Sequence, residues 1–317
     1  MNEFKLKIIH FFLSAFFTFW LLKIFIPLLK KNFPAQPNNR SLHNSIKASG
    51  GGITFIIVYM ILAIYQGFLL PLFSLPLSLI GLIDDKYNIS RGIRLIFQIV
   101  TLIFIISHLS NDSSSFLFNI NSYKGLLITL LIFTGTAIIN FINFMDGIDG
   151  LVCGCMIVIF TTINNEFHYL SPIIGTLSAF LMFNWYPSKI FMGDIGSLFL
   201  GSFLVSLILS SNSLITFLKI ILLSSPLLFD AASCLFRRFI NKQNIFKPHT
   251  LHLYQRLVNN GMSHNKVSMI YIFSTSILGL FYIFSNIFAL ILCSIIILFI
   301  GVYLDIKFAK EFDVIQF

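Results

Sequence analysis

The chain has 317 residues, of which 57% are hydrophobic and only 10% are charged, and its mean hydropathy is +0.90. These values lie far outside the range of soluble globular domains and predict a polytopic membrane protein. The net charge of +9 comes from few charged residues in total. We therefore attribute it to basic loops on one side of a membrane, not to nucleic-acid binding.

Eleven apolar stretches are candidate membrane spans, judged against the ~20 residues that an α-helix needs to cross a bilayer. We predict an all-α, polytopic bundle of about ten to eleven spans, in one integral membrane domain of residues 1–317. The first stretch resembles a signal peptide, but no small-residue cleavage site follows it, so we keep it as a span. The stretches around Pro71 and Pro76 are the hardest to divide. The predicted spans are 8–29, 53–69, 70–83, 93–108, 125–142, 151–163, 170–185, 197–210, 215–235, 267–284 and 287–303.

The basic residues indicate how these spans are oriented. If the N-terminus lies outside, the inner loops and the C-terminal end hold 16 of the 21 Lys and Arg residues. Positively charged loops stay in the cytoplasm. We therefore predict a multi-pass membrane protein with its N-terminus outside and its C-terminus inside. The predicted cytoplasmic loops, which carry all the polar clusters described below, are about 30–52, 84–94, 143–150, 185–196 and 236–266.

The four cysteines, Cys153, Cys155, Cys234 and Cys293, lie in apolar stretches without C-x-x-C spacing. Cysteine in such surroundings behaves as a small buried hydrophobe. We predict that they form no disulfides and bind no metal.

The most informative stretch lies between the apolar runs 125–142 and 151–163. Asn140, Asn143, Asp146 and Asp149 follow one another at intervals of three residues. Side chains at that spacing eclipse on a 3₁₀ turn and drift slowly around an α-helix, so their oxygens can converge on one ligand. For Asp149, an N-cap of the next helix is the alternative.

The first inner loop carries Lys47 and the glycines Gly50 to Gly52 at the start of a predicted helix. Free amides and the helix dipole at such a terminus favour a bound anion. We predict a phosphate site here, and the alternative is a flexible loop with a snorkelling lysine.

Asp84 and Asp85 end a predicted span, where the helix dipole disfavours negative charge and acids are costly. Adjacent carboxylates repel, so one pKa should rise unless a cation is near. A metal ion, or the nearby Lys86, Arg91 and Arg94, would relieve the repulsion. We interpret the pair as functional, with a solvated loop as the alternative.

The loop at 185–196 contains Phe191 and Asp194. Asp194, at a turn flanked by glycines, suits Mg²⁺ coordination or an N-cap. Phe191 by itself is more typical of a membrane interface than of base stacking. Asp230, inside a span, is expected to pair with Arg237 or Arg238.

The last inner segment contains His249, His252 and Arg256, which we predict to share one helical face. Two histidines could bind zinc, but no third nitrogen or sulfur ligand lies nearby in sequence. A cationic face for phosphate fits better, and an amphipathic interfacial helix is the alternative.

Acidic oxygen ligands, basic groups and a site at the membrane surface are the equipment for phosphoryl transfer to a lipid phosphate. The chain also resembles the polyprenyl-phosphate N-acetylhexosamine-1-phosphate transferases of glycosyltransferase family 4, from about Asn39 to Gly261. That family includes the enzymes that initiate O-antigen, teichoic acid and enterobacterial common antigen synthesis, and the peptidoglycan translocase. The matching motifs are Arg40-Ser41-Leu42-His43 with Gly50-Gly51-Gly52, Asp84-Asp85, Asn143 to Leu151, Phe191-Met192-Gly193-Asp194, and His249-Thr250-Leu251-His252.

The resemblance implies attack by undecaprenyl phosphate on the β-phosphorus of a UDP-N-acetylhexosamine, which gives undecaprenyl-diphosphate-sugar and UMP. By position, Asn143 and Asp194 would hold Mg²⁺, with Mn²⁺ as the alternative metal, and Asp84 or Asp85 would deprotonate or orient the lipid phosphate. The implied substrate-binding residues are Asn140, Asp146, Asp149, Asn184 and Phe191 for the nucleotide and His249, His252, Lys47 and Arg94 for phosphates. Arg256 joins them through the predicted cationic face.

The histidine element departs from the peptidoglycan translocase, which has a run of histidines where this chain has His-x-x-His. It is more similar to the O-antigen-initiating branch that uses 6-deoxy sugars, such as N-acetylfucosamine or N-acetylquinovosamine, and it argues against a muropeptide. The expected partners are therefore the UDP-sugar, undecaprenyl phosphate and the lipid bilayer, and a homodimer is compatible with this interpretation.

Two other functions compete with this one. A transporter or flippase of lipid-linked or anionic substrates also carries intramembrane acids, but it places them near the midplane on broken helices. A phosphotransferase of the CDP-alcohol type would need its aspartates on two consecutive helices, whereas here they occupy four loops.

Overall fold

The computed structural model describes residues 3–36, 45–110, 124–167, 169–245, 247 and 249–312. Within these residues it contains thirteen α-helices, one 3₁₀ segment (Leu70–Ser74) and one pair of two-residue strands. The predicted all-α class is therefore confirmed. The helices are α1 (Glu3–Asn32), α2 (Gly52–Tyr65), α3 (Leu75–Tyr87), α4 (Arg91–Ser110), α5 (Lys124–Met145), α6 (Leu151–Ile163), α7 (Ser171–Asn184), α8 (Gly193–Leu209), α9 (Leu214–Leu223), α10 (Ser225–Ile240), α11 (Leu253–Asn259), α12 (His264–Phe284) and α13 (Ile287–Phe308).

Helix α8 forms the centre of the bundle. It is buried without interruption from Ile195 to Leu209 and packs against α2, α3, α4 and α5. Its aromatic side chains Phe199 and Phe203 contact Tyr59 of α2. A helix that is apolar and buried on all sides belongs to the interior of a bundle, so the N-terminus of α8 is a fixed reference point for the residues around it.

Five helices, α1, α4, α5, α12 and α13, are long and apolar enough to cross a membrane. The pair α9 and α10 adds a sixth candidate if it is one bent span. Four shorter apolar helices, α2, α6, α7 and α8, bring the number to ten. That total agrees with the predicted ten to eleven spans only when helices of 13 to 17 residues are counted.

The predicted single span at 215–235 is wrong in shape. Helices α9 and α10 meet at an angle of 71°, and α10 continues to Ile240. Pro226 lies at the start of α10 and has no backbone N–H to continue the hydrogen-bond ladder of α9. The stretch around Pro71 likewise forms the 3₁₀ segment before α3 begins at Leu75.

Strands β1 (Pro34–Ala35) and β2 (Lys47–Ala48) pair antiparallel at the two ends of the first inner loop. Ala48 also bridges to Ile190, and its carbonyl oxygen accepts a hydrogen bond of 2.8 Å from the Phe191 amide. These contacts attach the first inner loop to the loop that precedes α8.

Gly81 allows α3 to approach the N-terminus of α8. A Cβ atom at this position would lie 2.6 Å from the backbone of Asp194, closer than any side chain tolerates. The absent side chain therefore places the last turn of α3, with its two aspartates, against the first turn of α8.

Candidate active site

Three helix ends meet at one point of the bundle: the C-terminal ends of α3 and α5 and the N-terminus of α8. They bring together a set that we call the acidic cluster, which consists of Asp84, Asp85, Asn143, Asp146 and Asp194, with Arg94 of α4 beside it. The sequence prediction that oxygens from separate inner turns converge is confirmed for Asp85, Asn143 and Asp194.

Arg94 joins two of these carboxylates. Its Nη1 donates to Asp84 Oδ2 at 2.6 Å and to Asp194 Oδ2 at 2.9 Å. Asp84 is buried and also accepts a hydrogen bond of 2.6 Å from the Ile89 amide. Because one guanidinium nitrogen serves both acids, Asp84 and Asp194 are held at hydrogen-bonding distance from the same atom.

Asp85 lies beyond the apolar part of α3 and caps α8. Its carboxylate accepts hydrogen bonds from the amides of Asp194 at 3.0 Å and Ile195 at 3.4 Å. Burial and the negative charge of Asp194 nevertheless raise the pKa of Asp85 to about 7. The helix N-terminus favours the charged form, but burial and the charge of Asp194 outweigh it. Asp85 is therefore a carboxyl group that can exchange a proton near neutrality.

Asn143 lies in the last turn of α5 and contacts Asp194 directly. Its amide nitrogen donates to Asp194 Oδ1 at 3.0 Å and to Ser197 Oγ at 2.8 Å. With its amide protons used in this way, the carbonyl oxygen is the atom that Asn143 can offer to a cation.

Asp146 follows in the loop after α5. Burial, and then the charges of Asp194, Asp85 and Asp149, raise its pKa well above the ordinary value. We group Asp146 with the acidic cluster because Asp194 and Asp85 are the strongest of the charges that act on it.

The charges of the acidic cluster are not balanced. Four carboxyl groups face one arginine, which is the basic side chain that forms ion pairs with them among the residues described. Clustered carboxylates and an amide oxygen form the donor set that a hard divalent cation prefers. The residues therefore fit a magnesium ion.

Asp149 belongs to a different group, which we call the Asp149 cluster: Lys47, Asp149, Ser188 and His264. Asp149 is 1% exposed and accepts hydrogen bonds of 3.0 Å from the Ser188 amide and 2.9 Å from its hydroxyl. Lys47 Nζ lies 3.4 Å from its carboxylate and His264 Nδ1 lies 3.7 Å away. Burial opposes ionisation, but His264, Ser188 and Lys47 outweigh it and lower the pKa of Asp149 to about 2.

The predicted convergence of all four residues at three-residue spacing is therefore wrong. Asn140 exchanges two hydrogen bonds with Gln98 of α4, at 3.0 and 3.1 Å. Asn143 and Asp146 belong to the acidic cluster, whereas Asp149 joins the first inner loop to the 185–196 loop. Helix α5 ends at Met145, so the turn that follows redirects Asp149 away from the other three. The alternative for Asp149 is also wrong, because Gly150 caps α6.

The glycine stretch does not form the predicted phosphate site. The amides of Gly51 and Gly52 each donate at 2.9 Å, to the carbonyl oxygens of Phe191 and Met192. A Cβ atom at Gly52 would lie 2.5 Å from Gly196. These glycines therefore serve close packing between two loops, and their amides are already used.

Two residues expected at the nucleotide have different surroundings. Asn184 is buried, and its side chain accepts from the Gly150 amide at 3.1 Å and donates to the Ile190 carbonyl at 2.9 Å. It connects two loops, and both its side-chain oxygen and its side-chain nitrogen are already bonded to the protein. Phe191 is half-buried, and Lys47 Nζ lies 5.0 Å from the centre of its ring. Phe191 and Lys47 thus form a cation–π pair at the loop that leads to Asp194.

The predicted shared helical face of His249, His252 and Arg256 is wrong. Helix α11 begins only at Leu253, with His252 at its N-cap and His249 before it. Arg256 is buried and forms an ion pair with Asp305 of α13, while it also donates to the carbonyl oxygens of Leu251 and Lys310. Its guanidinium has a structural partner and does not face the acidic cluster.

Asp230 has different partners from those predicted. It accepts hydrogen bonds from the amides of Leu253 at 2.7 Å and Tyr254 at 3.1 Å, and from the Tyr271 hydroxyl at 2.6 Å. Arg237 pairs with Asp305, and Arg238 donates to carbonyl oxygens of residues 244–247. Asp230 therefore caps α11 instead of forming a buried ion pair with either arginine.

Three residues that contact Asn140 or Asp149 were not predicted from the sequence: Gln98, Ser188 and His264. Gln98 lies in the first half of a predicted span and His264 lies in the last predicted inner loop, and neither shows a local pattern that would single it out. Ser188 follows Pro187 in a loop that was recognised as polar, but a lone serine is not a signal. The motif residues Arg40 to His43 lie outside the described residues.

The fold is that of a polytopic membrane bundle, and clustered carboxyl groups lie beside an arginine at its helix ends. A family model described as glycosyl transferase family 4 matches residues 67–212. The chain is 31% identical, over 75% of its own length and 73% of the relative's, to a probable undecaprenyl-phosphate N-acetylglucosaminyl 1-phosphate transferase of Bacillus subtilis. The chain therefore belongs to glycosyl transferase family 4.

Two further relatives show the range of the family. An undecaprenyl-phosphate α-N-acetylglucosaminyl 1-phosphate transferase of Thermotoga maritima is 28% identical over 77% of this chain and 81% of its own. A phospho-N-acetylmuramoyl-pentapeptide-transferase of Prochlorococcus marinus is 32% identical over 66% of this chain and 68% of its own. The relatives thus differ in the sugar that their names specify.

Proposed function

We propose that this protein transfers N-acetylhexosamine-1-phosphate from a UDP-sugar to undecaprenyl phosphate, giving undecaprenyl-diphosphate-sugar and UMP. The names of its relatives support the two substrates. The observation that carries the proposal is the meeting of Asp84, Asp85 and Asp194 around one nitrogen of Arg94 and the first turn of α8.

Magnesium is the proposed cofactor, with Mn²⁺ as a substitute. Asp194 and Asn143 would hold it, because the two side chains are adjacent, with Asn143 Nδ2 at 3.0 Å from Asp194 Oδ1. When bound, the ion neutralises negative charge that the substrate diphosphate brings to the acidic cluster.

Asp85 is the proposed base for the lipid phosphate. A phosphate oxygen of undecaprenyl phosphate attacks the β-phosphorus, the bond from that phosphorus to the bridging oxygen breaks, and UMP leaves with the bonding electron pair. The proton of the lipid phosphate, where one is present, passes to the Asp85 carboxylate. A pKa of about 7 suits this role, because it lies near the range in which phosphate monoesters titrate.

Arg94 is the proposed phosphate ligand. Its Nη1 is used by Asp84 and Asp194, while a guanidinium carries further N–H donors on Nη2 and Nε. These can bind an incoming phosphate without breaking the contacts that orient the arginine. Phe191 lies in the loop before α8 and is the proposed contact for the nucleotide.

The position of the acids argues against the transporter alternative. They occupy helix ends and adjoining loops, whereas a transporter places its ionisable groups at the interruption of helices near the midplane. We further propose the inner membrane, with the N-terminus outside, and initiation of O-antigen or a related envelope glycan with a 6-deoxy N-acetylhexosamine. The His-x-x-His element supports the sugar, and the distribution of basic residues supports the orientation.

The experiment that tests the function is a UMP-release assay on purified protein with undecaprenyl phosphate and Mg²⁺. The panel contains UDP-N-acetylglucosamine, UDP-N-acetylfucosamine, UDP-N-acetylquinovosamine and UDP-N-acetylmuramoyl-pentapeptide. We expect UMP release with an N-acetylhexosamine, dependent on the lipid phosphate. Release from the muramoyl substrate alone would contradict the proposed sugar, and no release from any donor would contradict the function.

A further inference from the structure

A second cluster of metal-ligating side chains lies beside the acidic cluster. Cys234 of α10 and the two histidines before α11, His249 and His252, each offer a ligand atom, and these atoms all lie within 4.8 Å of one another. Cys234 Sγ is 4.0 Å from His249 Nδ1, and the two imidazole ring centres are 4.9 Å apart. The neighbouring sequence offers no third ligand, and the fold brings one from α10.

His252 supplies an independent indication that this cluster binds something. It is 3% exposed, yet its Nδ1 atom has no hydrogen-bond partner. A buried polar atom without a partner costs free energy, and most such atoms in proteins are satisfied. The nearest acceptor, Asp230 Oδ1, lies 3.7 Å away and already serves the Leu253 amide.

A buried carboxylate, Asp230, lies next to the three side chains. Asp230 is fixed by the amides of Leu253 and Tyr254 and by the Tyr271 hydroxyl. Its negative charge beside His252 favours a bound cation. Phe144 of α5 packs against the His252 ring at 6.0 Å, so the cluster touches the helix that carries Asn143.

We propose that Cys234, His249 and His252 bind one zinc ion, with a water molecule as the fourth ligand. One thiolate and two imidazoles suit Zn²⁺, whereas the oxygen-rich acidic cluster suits Mg²⁺. Tetrahedral zinc would separate these ligand atoms by about 3.3–3.6 Å. Side-chain movements of about 1 Å would bring the present arrangement to that geometry. On binding, the Cys234 thiol loses its proton to solvent and its sulfur coordinates the metal.

The zinc ion would fasten the segment between α10 and α11 to the bundle. It would hold His252 against Phe144 and thereby fix the approach of this segment to the end of α5. This role can be tested apart from the proposed transferase reaction, because zinc binding by these residues requires no substrate.

Cobalt titration of the purified full-length protein tests the proposal. Mg²⁺ is kept in excess so that hard sites are filled, and Co²⁺ is added as the probe. We expect about one equivalent of Co²⁺ to give a thiolate-to-cobalt charge-transfer band, which oxygen ligands cannot produce. Cys234→Ser and His252→Gln should lose the band, whereas Cys293→Ser, a buried cysteine on α13, should keep it. No band in the wild type, or a band that survives Cys234→Ser, would overturn the proposal.

Thermal unfolding keeps the test decisive if Cys234→Ser does not fold. Zinc that binds the native state should raise the Tm of the wild type and of Cys293→Ser by more than about 3 °C. His249→Gln should show no such rise. An equal rise in His249→Gln, or none in the wild type, would contradict the site. Neither readout uses substrate, so failure here leaves the transferase proposal standing.

Discussion

The acidic cluster and the Asp149 cluster are built from the same kinds of residue only a few positions apart, and they differ in how their charges are satisfied. In the Asp149 cluster, one buried carboxylate has a lysine, a histidine and two donors of Ser188 around it. In the acidic cluster, four carboxyl groups have one arginine. Ionisation is therefore favoured at Asp149 and opposed at Asp85 and Asp146.

This difference distinguishes a cluster that holds loops together from a cluster that can bind ligands. A carboxylate whose hydrogen bonds are complete holds loops together and has little left to offer a ligand. Carboxylates that repel one another remain together only because the helices force them to, and a cation relieves that repulsion. We therefore assign binding of the metal and the phosphates to the acidic cluster, and assembly of the loops to the Asp149 cluster.

The largest effect is expected from Asp194→Asn, which removes the carboxylate shared by Arg94, Asn143 and the proposed metal. UMP release should fall at least about 100-fold, since loss of metal-ion charge stabilisation amounts to several kcal/mol. Initial rates with UDP-sugar and undecaprenyl phosphate measure this. Glu166→Gln, the same change at an exposed carboxylate next to Tyr282, should retain activity. Comparable activity in Asp194→Asn and wild type would remove the acidic cluster from the reaction.

Gly81→Ala should disrupt the acidic cluster by packing alone. The added methyl group would lie 2.6 Å from the Asp194 backbone, so α3 must move away from α8 and carry Asp84 and Asp85 with it. We expect about a tenfold or greater loss of kcat, because a misplacement of about 1 Å can cost that much or more. Gly301→Ala, where a Cβ meets nothing within 4 Å, is the matched control. Equal kinetics in the two variants would show that the approach of α3 to α8 does not position the acids.

Asp149→Asn should affect stability more than chemistry. The pKa of Asp149 is lowered from 3.8 to about 2, which corresponds to roughly 2 kcal/mol of stabilisation when the group is ionised. This contribution is complete above the unfolded-state pKa near 4 and is lost as the pH falls toward about 2. Thermal unfolding should therefore show a lower Tm for the variant at pH 7 and a smaller difference between variant and wild type at pH 3. A difference that grows on acidification would contradict the assignment.

Asn140→Ala should have the smallest effect. Its amide exchanges two hydrogen bonds with Gln98, so we expect a loss of about 1 kcal/mol in stability and an unchanged KM for the UDP-sugar. Gln98→Ala should cost a similar amount, and the double variant little more than either single one. A raised KM in Asn140→Ala but not in Gln98→Ala would instead indicate contact with the nucleotide.

The residues of the acidic cluster could be predicted because a carboxylate at the end of an apolar span costs free energy. Asp84 and Asp85 at the end of an apolar span, and Asp194 at a turn before another, need a reason that local structure does not provide. The all-α fold followed from the length and composition of the apolar runs. In both cases the information lies within about twenty residues of sequence.

The partners of these residues could not be predicted in the same way. The three-residue spacing placed Asp149 with Asn143, but the end of α5 separates them and joins Asp149 to Lys47, 102 residues away. The sequence around Gly51 and Gly52 predicts a phosphate loop. In the fold, however, their amides donate to the carbonyl oxygens of Phe191 and Met192. Cys234 becomes a neighbour of His249, 15 residues later, because the chain turns back after α10 ends at Ile240. Such pairings depend on helix packing, which local periodicity does not contain.

Manganese binding followed by electron paramagnetic resonance tests the central claim most directly, since it compares the two clusters in one measurement. We predict one tightly bound Mn²⁺ in the wild type and in Asp149→Asn, and none in Asp194→Asn, with Mg²⁺ displacing the bound ion. Equal Mn²⁺ binding in Asp194→Asn and wild type, or its loss in Asp149→Asn alone, would contradict the division between a metal-binding acidic cluster and an architectural Asp149 cluster.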